Sequence, residues 1–356
     1  MNQMAGVQQQ STSGRSIVPL WLLVIGNAVM VISLWLLSAG GMVSKIVLLV
    51  FWASILLGFG RGFRLSAMVV LGTLVLLAFL GLIGIGTGDG LERLRLIGNV
   101  MMLPVGILVG ALIGRDAVRI MVPALVLYLL ATSSFYPTHE GARLNQPFLF
   151  LGLFALASVF EPRWRGVLAV ISGGAVLLSQ TRIAVLAMTL NLLGLLRFSR
   201  AITWMVGLAV IGVVGWLAAE KLPRLLLTHD SGRLVFWREF ADIWLAAPAS
   251  RQWLGFGAGS VEAILSGYTS FTSFGALHND HFRILFETGS SGALLWTAGW
   301  SVMLWHVRAS RLAICILLSV MVTMVTDNTL NYGHYLICAG MAAGVAIRQG
   351  GYHEPA

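Results

Sequence analysis

Charge is what this sequence has least of: only 10% of its 356 residues are Asp, Glu, Lys or Arg. Soluble globular domains carry about 25%, so a water-soluble globular protein is excluded. Cysteine is nearly missing too, and the only two, Cys315 and Cys338, fall inside apolar runs, which excludes a disulfide framework. No repeat period and no linker divides the chain, so a single domain is expected. Acids are fewer than cations, 14 against 23, for a formal net charge of +9. Such an excess suggests nucleic acid only where it clusters, and here the basic residues stand in ones and twos between apolar runs, as membrane topology places them.

What fills the sequence instead is apolar: 58% hydrophobic residues, with a mean hydropathy of +0.87. A membrane helix needs roughly 20 apolar residues, with about 17 tolerated. Twelve segments are expected to cross: 17–37, 42–59, 65–85, 96–113, 117–133, 147–160, 164–179, 183–196, 202–219, 282–307, 312–326 and 332–347. The sixth to eighth are short and rest on their flanking residues. The expected fold is therefore all-α and polytopic, with about 12 transmembrane helices and one large periplasmic loop, 220–281. A polar tail, 1–16, shows no cleavage site and is expected in the cytoplasm, as is 348–356.

Charge orients the bundle. With the N-terminus inside, the inner loops each hold a basic pair: Arg61 and Arg64, Arg115 and Arg119, Arg163 and Arg165, Arg197 and Arg200, Arg308 and Arg311. Most acids fall outside, among them Asp89, Glu92, Glu140, Glu262, Asp280 and Asp327. Within the large loop, "RLVFWREFADIWLAA" puts Leu234, Trp237, Ala241, Trp244 and Leu245 on one helical face, opposite Arg238, Glu239 and Asp242. An amphipathic helix lying at the outer interface is expected there.

Against that orientation, Arg143, Arg182, Arg233 and His278 are exceptions, all outside and from four separate segments. Guanidinium groups stay charged and bind phosphate bidentately, so their convergence at a membrane surface points to a phosphate-bearing lipid. His278, with Asn279 beside it and His281 one turn on, offers an imidazole able to act as base or donor. Glu287 lies four residues after Arg283 and is read as its intrahelical partner. Gly289 and Gly292 are read as close-packing positions. "GFGAGS" and "GIGTGDG" lack the G-x-G-x-x-G spacing and its strand, so they do not indicate nucleotide binding. His278 and His281 have no evident third ligand, and no metal is expected. "THDS" at Thr228 lacks a nucleophile elbow.

Three of these segments resemble the O-antigen ligase and O-antigen polymerase superfamily of bacterial envelope glycosyltransferases. "SQTRIAV" is similar to an S/T-x-S/T-R element, "SGRLVFW" to an R-x-x-x-W element, and "HNDHFRILFETGSSG" to H-N-x-x-L-x-x-L-x-E-x-G-x-x-G. The chain departs from the pattern at Ile183 and Phe282, neither of which removes a charged group. The resemblance implies transfer of a glycan from a polyprenyl diphosphate donor to a glycan or lipid A core acceptor, inverting and without metal or cofactor. It places the protein in the bacterial inner membrane, its site facing the periplasm, with a chain-length regulator among its partners. By analogy Arg182 and Arg233 clamp the diphosphate and His278 handles the acceptor hydroxyl. Arg143, Asn279, His281 and Trp237 are the expected substrate contacts, while anchoring at the interface competes with sugar stacking for Trp237 and Trp244.

Polymerisation of repeat units is favoured over ligation to lipid A core. A flippase for a lipid-linked sugar is the alternative of another class; it calls for charge at the bilayer midplane, whereas here the span middles read as nearly clean, Lys45 lying close to an end.

Overall fold

A computed structural model describes residues 18–39, 41–59, 66–138, 141–196, 233–267 and 277–350. It is predominantly helical. Helices α1 (Leu20–Ala39), α2 (Gly41–Phe59), α3 (Ala67–Ile85), α4 (Gly90–Ile113) and α5 (Arg115–Thr132) lead into a β1 (Phe135–Thr138), β2 (Gly141–Leu144) hairpin. Then come α6 (Pro147–Val159), α7 (Pro162–Leu178) and α8 (Arg182–Leu195). After the gap, α9 (Arg233–Ala246), α10 (Ala249–Leu254) and α11 (Ser260–Gly267) precede α12 (Asp280–His306), α13 (Arg311–Thr326), a 3-10 turn (Thr329–Asn331) and α14 (Gly333–Gly350).

Eleven of the twelve expected apolar segments coincide with helices; the ninth, 202–219, lies outside the described residues. Helices α1 to α4 are long and apolar enough to cross a membrane. Their outward sides are apolar, with Leu57 85% exposed and Leu74 and Leu77 each 59% exposed. Water does not tolerate apolar exteriors of that extent, so the chain reads as a membrane protein. Helix α6, at 13 residues, is about 20 Å long, short of the ~30 Å hydrocarbon core.

The bundle's tightest seam joins α4 and α14. Gly106 and Gly110 on α4 face Gly340 and Gly344 on α14, two small-x-x-x-small pairs that bring the backbones together. A Cβ at Gly110 would collide with the Met341 carbonyl. Gly110→Leu is therefore expected to lower stability by about 3 kcal/mol, the upper end of overpacking costs, read as a fall in the thermal midpoint of the purified protein.

Two features depart from the expected fold. The β1–β2 hairpin breaks the all-α pattern, pairing Phe135 with Leu144 and Tyr136 with Arg143, with β-favouring Phe, Tyr and Thr in β1. Helix α9 forms where the interfacial amphipathic helix is expected, but it also packs on protein. Phe236 and Phe240 are enclosed with Val261, Leu265, Leu277 and Phe286 in a satellite core, while Leu245 is 65% exposed. Trp237 and Trp244, on the side expected at the interface, are also partly buried against this core.

The two ends of the bundle differ. At one, Arg119 bridges Asp116 and Glu161, and Arg348 donates to the Leu112 carbonyl. At the other meet the α3–α4 turn, the hairpin, the α7–α8 turn, the α9–α11 segment and the start of α12. There a bridge pairs Gly88 with Ala258, and Arg143 donates to Gln180.

Candidate active site

The α12 start is built by local capping. Asn279 accepts from the Phe282 N–H at 2.9 Å through its side chain, an N-cap, and Asp280 is the acidic residue of the first turn. The cap forces the preceding residue into an unusual conformation. His278 sits at φ 53°, left-handed, which costs a non-glycine residue about 1–2 kcal/mol. Contacts on both sides hold it: the Trp237 indole donates to the Leu277 carbonyl at 2.8 Å, and the His278 N–H donates to Asn328 Oδ1 at 3.0 Å. The His278 Nδ1 is left 3.8 Å from Asp327 Oδ1, facing a carboxylate but beyond hydrogen-bonding reach.

Asp327 belongs to a cavity of about 450 Å3, lined also by Gln146, Phe148, Thr181, Asn331, Tyr332 and His334. Tyr332 donates to Asp327 at 3.2 Å and stacks on Phe148, the ring centroids 4.4 Å apart. On the far wall, Thr181 is the N-cap of α8 and Arg182 its first residue, with an exposed side chain. A cation is disfavoured at a helix N-terminus by about 0.3–1 kcal/mol, so Arg182 is not placed there for the helix. Arg143 reaches the same turn, donating to Gln180 Oε1 at 3.2 Å. Among the described residues, three non-glycine positions have left-handed backbone, Gln146, Gln180 and His278. Gln146 lines this cavity, Gln180 precedes Thr181, and His278 faces Asp327. Strain of this kind persists where the surroundings enforce it, and it gathers at functional sites.

Beneath the cavity runs a buried polar network that sequence reasoning passed over. Lys45 Nζ donates to Asn99 Oδ1 at 2.6 Å, and Asn99 donates to Asn331 Oδ1 at 3.3 Å. His334, 2% exposed, contacts Ser33 Oγ at 3.0 Å, and Ser33 and Ser44 exchange hydroxyl-to-carbonyl bonds. Ser33, Ser44, Asn99, Asn191 and His334 are all buried, all but Asn191 near an end of the expected span. Single polar residues in apolar runs are the available signal, and from the sequence Lys45 reads only as lying close to a span end. Asp280 lies just before the apolar stretch of α12; burial pushes its carboxyl up to about 7, the Leu330 N–H hydrogen bond and the Arg283 charge opposing.

Other expected contacts are differently employed. His281 Nε2 is 3.2 Å from the Met321 carbonyl and its Nδ1 accepts from the Trp296 indole at 3.0 Å. Both ring nitrogens are occupied inside the protein, so the expected substrate contact is corrected to a structural one. The Trp237 indole N–H is likewise taken by Leu277, and its ring packs against the satellite core. Asn279 Oδ1 is held by the cap, leaving only the amide nitrogen for a ligand. Arg233 is the first residue of α9, and its side chain lies outside the described residues.

The Arg283–Glu287 pair is present, Nε to Oε2 at 3.2 Å, and Arg283 also donates to Glu262. Gly289 is a close-packing position, as expected, and it has a second role: at φ 68° it ends the first limb of α12. The carbonyls of Phe286 and Glu287, orphaned by that break, accept from Phe256 and Gly257 N–H at 3.0 and 2.9 Å. A Cβ at Gly289 would collide with the Trp253 backbone. Gly289→Ala should therefore undock this loop, seen as new protease cleavage between Leu254 and Ser260. The glycines of "GFGAGS" serve this docking, consistent with the rejection of a nucleotide loop.

Among the described residues no three His, Cys, Asp or Glu side chains gather as a metal site. No protein-family model matches the chain, and no curated protein is significantly similar to it.

Proposed function

We propose that the protein is an inverting, metal-independent glycosyltransferase of the O-antigen polymerase and ligase type. It acts at the periplasmic face of the bacterial inner membrane on a polyprenyl-diphosphate-linked glycan, and its reaction is polymerisation of repeat units. The supporting observation is that Thr181, which precedes Arg182, and Asp327, 3.8 Å from His278, line one cavity together with Gln146, one of three left-handed non-glycine positions among the described residues.

In the proposed step an acceptor hydroxyl oxygen attacks the anomeric carbon as the bond from that carbon to the diphosphate oxygen breaks. The hydroxyl proton passes to His278, and the electron pair leaves with the diphosphate. Asp327 orients the imidazole and stabilises it once protonated. Arg182 and Arg233 take up the charge that develops on the leaving group, where a fixed donor is worth most. A diphosphate is already a good leaving group, so positioning and charge stabilisation suffice.

The buried Lys45–Asn99–Asn331 network is the one observation that favours the transport reading, since charge within a bundle is a mark of transporters. Glycan from a deletion strain separates the possibilities. Single repeats on lipid A core are expected for a missing polymerase; long chains stranded on the carrier would mean a ligase, and repeats trapped in the cytoplasmic leaflet a flippase. Purified protein is also expected to keep full transfer activity in chelator. Activity lost in chelator and restored by a divalent ion would overturn the metal-free step.

A further inference from the structure

A second cavity, an apolar groove of about 310 Å3, runs between α3, α4, α12 and α14. Phe79, Leu103, Ile107, Trp296, Trp300 and Met303 are among its walls. Along α4 it extends from Asn99 to Ala111, twelve helical rises and so about 18 Å of helix. One leaflet of hydrocarbon is about 15 Å deep, half of ~30 Å, so the groove outruns the leaflet in which an ordinary phospholipid chain ends.

The groove and the polar cavity share a thin partition. Leu330 faces the groove, and its neighbour Asn331 faces the cavity, within the same 3-10 turn. Asn99 lines the groove at this end and bonds to Asn331 across the partition. Directly behind is the Lys45 ammonium, with no carboxylate of the described residues within ion-pair distance. An apolar trench closed at one end by a half-buried cation that is hydrogen-bonded to a neutral amide fits an anionic head on a long single chain.

We infer that this groove holds the hydrocarbon chain of a polyprenyl phosphate or diphosphate, its charged head lying at the Lys45–Asn99–Asn331 junction and opening into the polar cavity. The inference rests on the glycosyltransferase reading for the identity of the lipid as donor, but the binding itself is measured independently of turnover.

The probe is undecaprenyl phosphate, titrated onto the full-length protein in nanodiscs and read by native mass spectrometry, with dioleoylphosphatidylglycerol as competitor. Gly72 and Gly299 both line the groove, and a Cβ at Gly72 points at Val302. Gly72→Leu and Gly299→Leu fill the trench from opposite helices and should each weaken binding at least tenfold. Lys45→Gln, which removes the charge and keeps the groove, should weaken it about tenfold. Leu74→Phe, on the outward side of α3, should bind as wild type. Undiminished binding in both glycine variants, or displacement by dioleoylphosphatidylglycerol, overturns the inference. Wild-type binding lost in the glycine variants, with no glycan transfer by any form, upholds the groove and ends the glycosyltransferase reading. Transfer with unaltered lipid binding in the glycine variants does the reverse.

Discussion

His278→Ala is expected to cut glycan transfer by a factor of about 10² to 10⁴, the usual contribution of a positioned acid–base group, while leaving the amount and thermal midpoint of folded protein unchanged. The side chain is 27% exposed, and its one short contact to the rest of the fold runs through the backbone N–H to Asn328, which alanine retains. Alanine also relieves nothing essential in the left-handed backbone, because Asn279 still caps α12 and Trp237 still holds Leu277. Asp327→Asn is the companion variant. It preserves the bond from Tyr332 and the lining of the cavity but removes the charge facing the imidazole, so transfer should fall by about tenfold or more. A structural role for His278 would instead lower the thermal midpoint and leave the rate per folded molecule intact.

The largest expected effect on stability comes from Arg283. Its guanidinium is 5% exposed and lies against Glu287, whose side chain is fully enclosed, with Glu262 on the other side. Arg283→Leu would leave Glu287 buried without its countercharge, and breaking a buried pair from one side costs about 3–5 kcal/mol. The damage should spread beyond the pair. Glu287 Oε1 also accepts from the Gly259 N–H at 3.1 Å, and its carbonyl accepts from Gly257. These bonds moor the 255–259 loop, and through the Gly88–Ala258 bridge they moor the α3–α4 turn. A fall in the thermal midpoint with protease cleavage at the 255–259 loop is expected. The double variant Arg283→Leu, Glu287→Leu should recover much of the loss, because an apolar replacement of both partners leaves no charge stranded.

Helix positions were legible in the sequence because apolar runs end at basic pairs, Gly or Pro, and those ends are where α2 to α8 and α12 to α14 stop or start. The intrahelical Arg283–Glu287 pair was legible for the same reason, a spacing of four on one helix. What periodicity cannot carry is contact between residues far apart. Lys45 and Asn99 are 54 positions apart, and His334 and Ser33 are 301 apart, so each looked like an isolated polar residue. Asp327 read as one more outer acid until the fold set it against His278, about 50 residues earlier. The protein-facing side of helix α9 was not legible because its partner is a small core made by Val261, Leu265 and Phe286, which the sequence of the helix alone does not announce. His281 was misjudged because its ring nitrogens find Met321 and Trp296, one on another helix and one beyond the Gly289 break.

Whether Arg182 and His278, from distant parts of the chain, serve one pocket on the non-cytosolic side is tested most directly by a double-cysteine variant, Arg182→Cys with His278→Cys. It is exposed in intact cells to a short, membrane-impermeant bifunctional maleimide. An intramolecular cross-link formed from outside, in high yield and absent from either single variant, is the result expected. Cysteines that react only after the membrane is opened, or that react from outside yet never join, would contradict it.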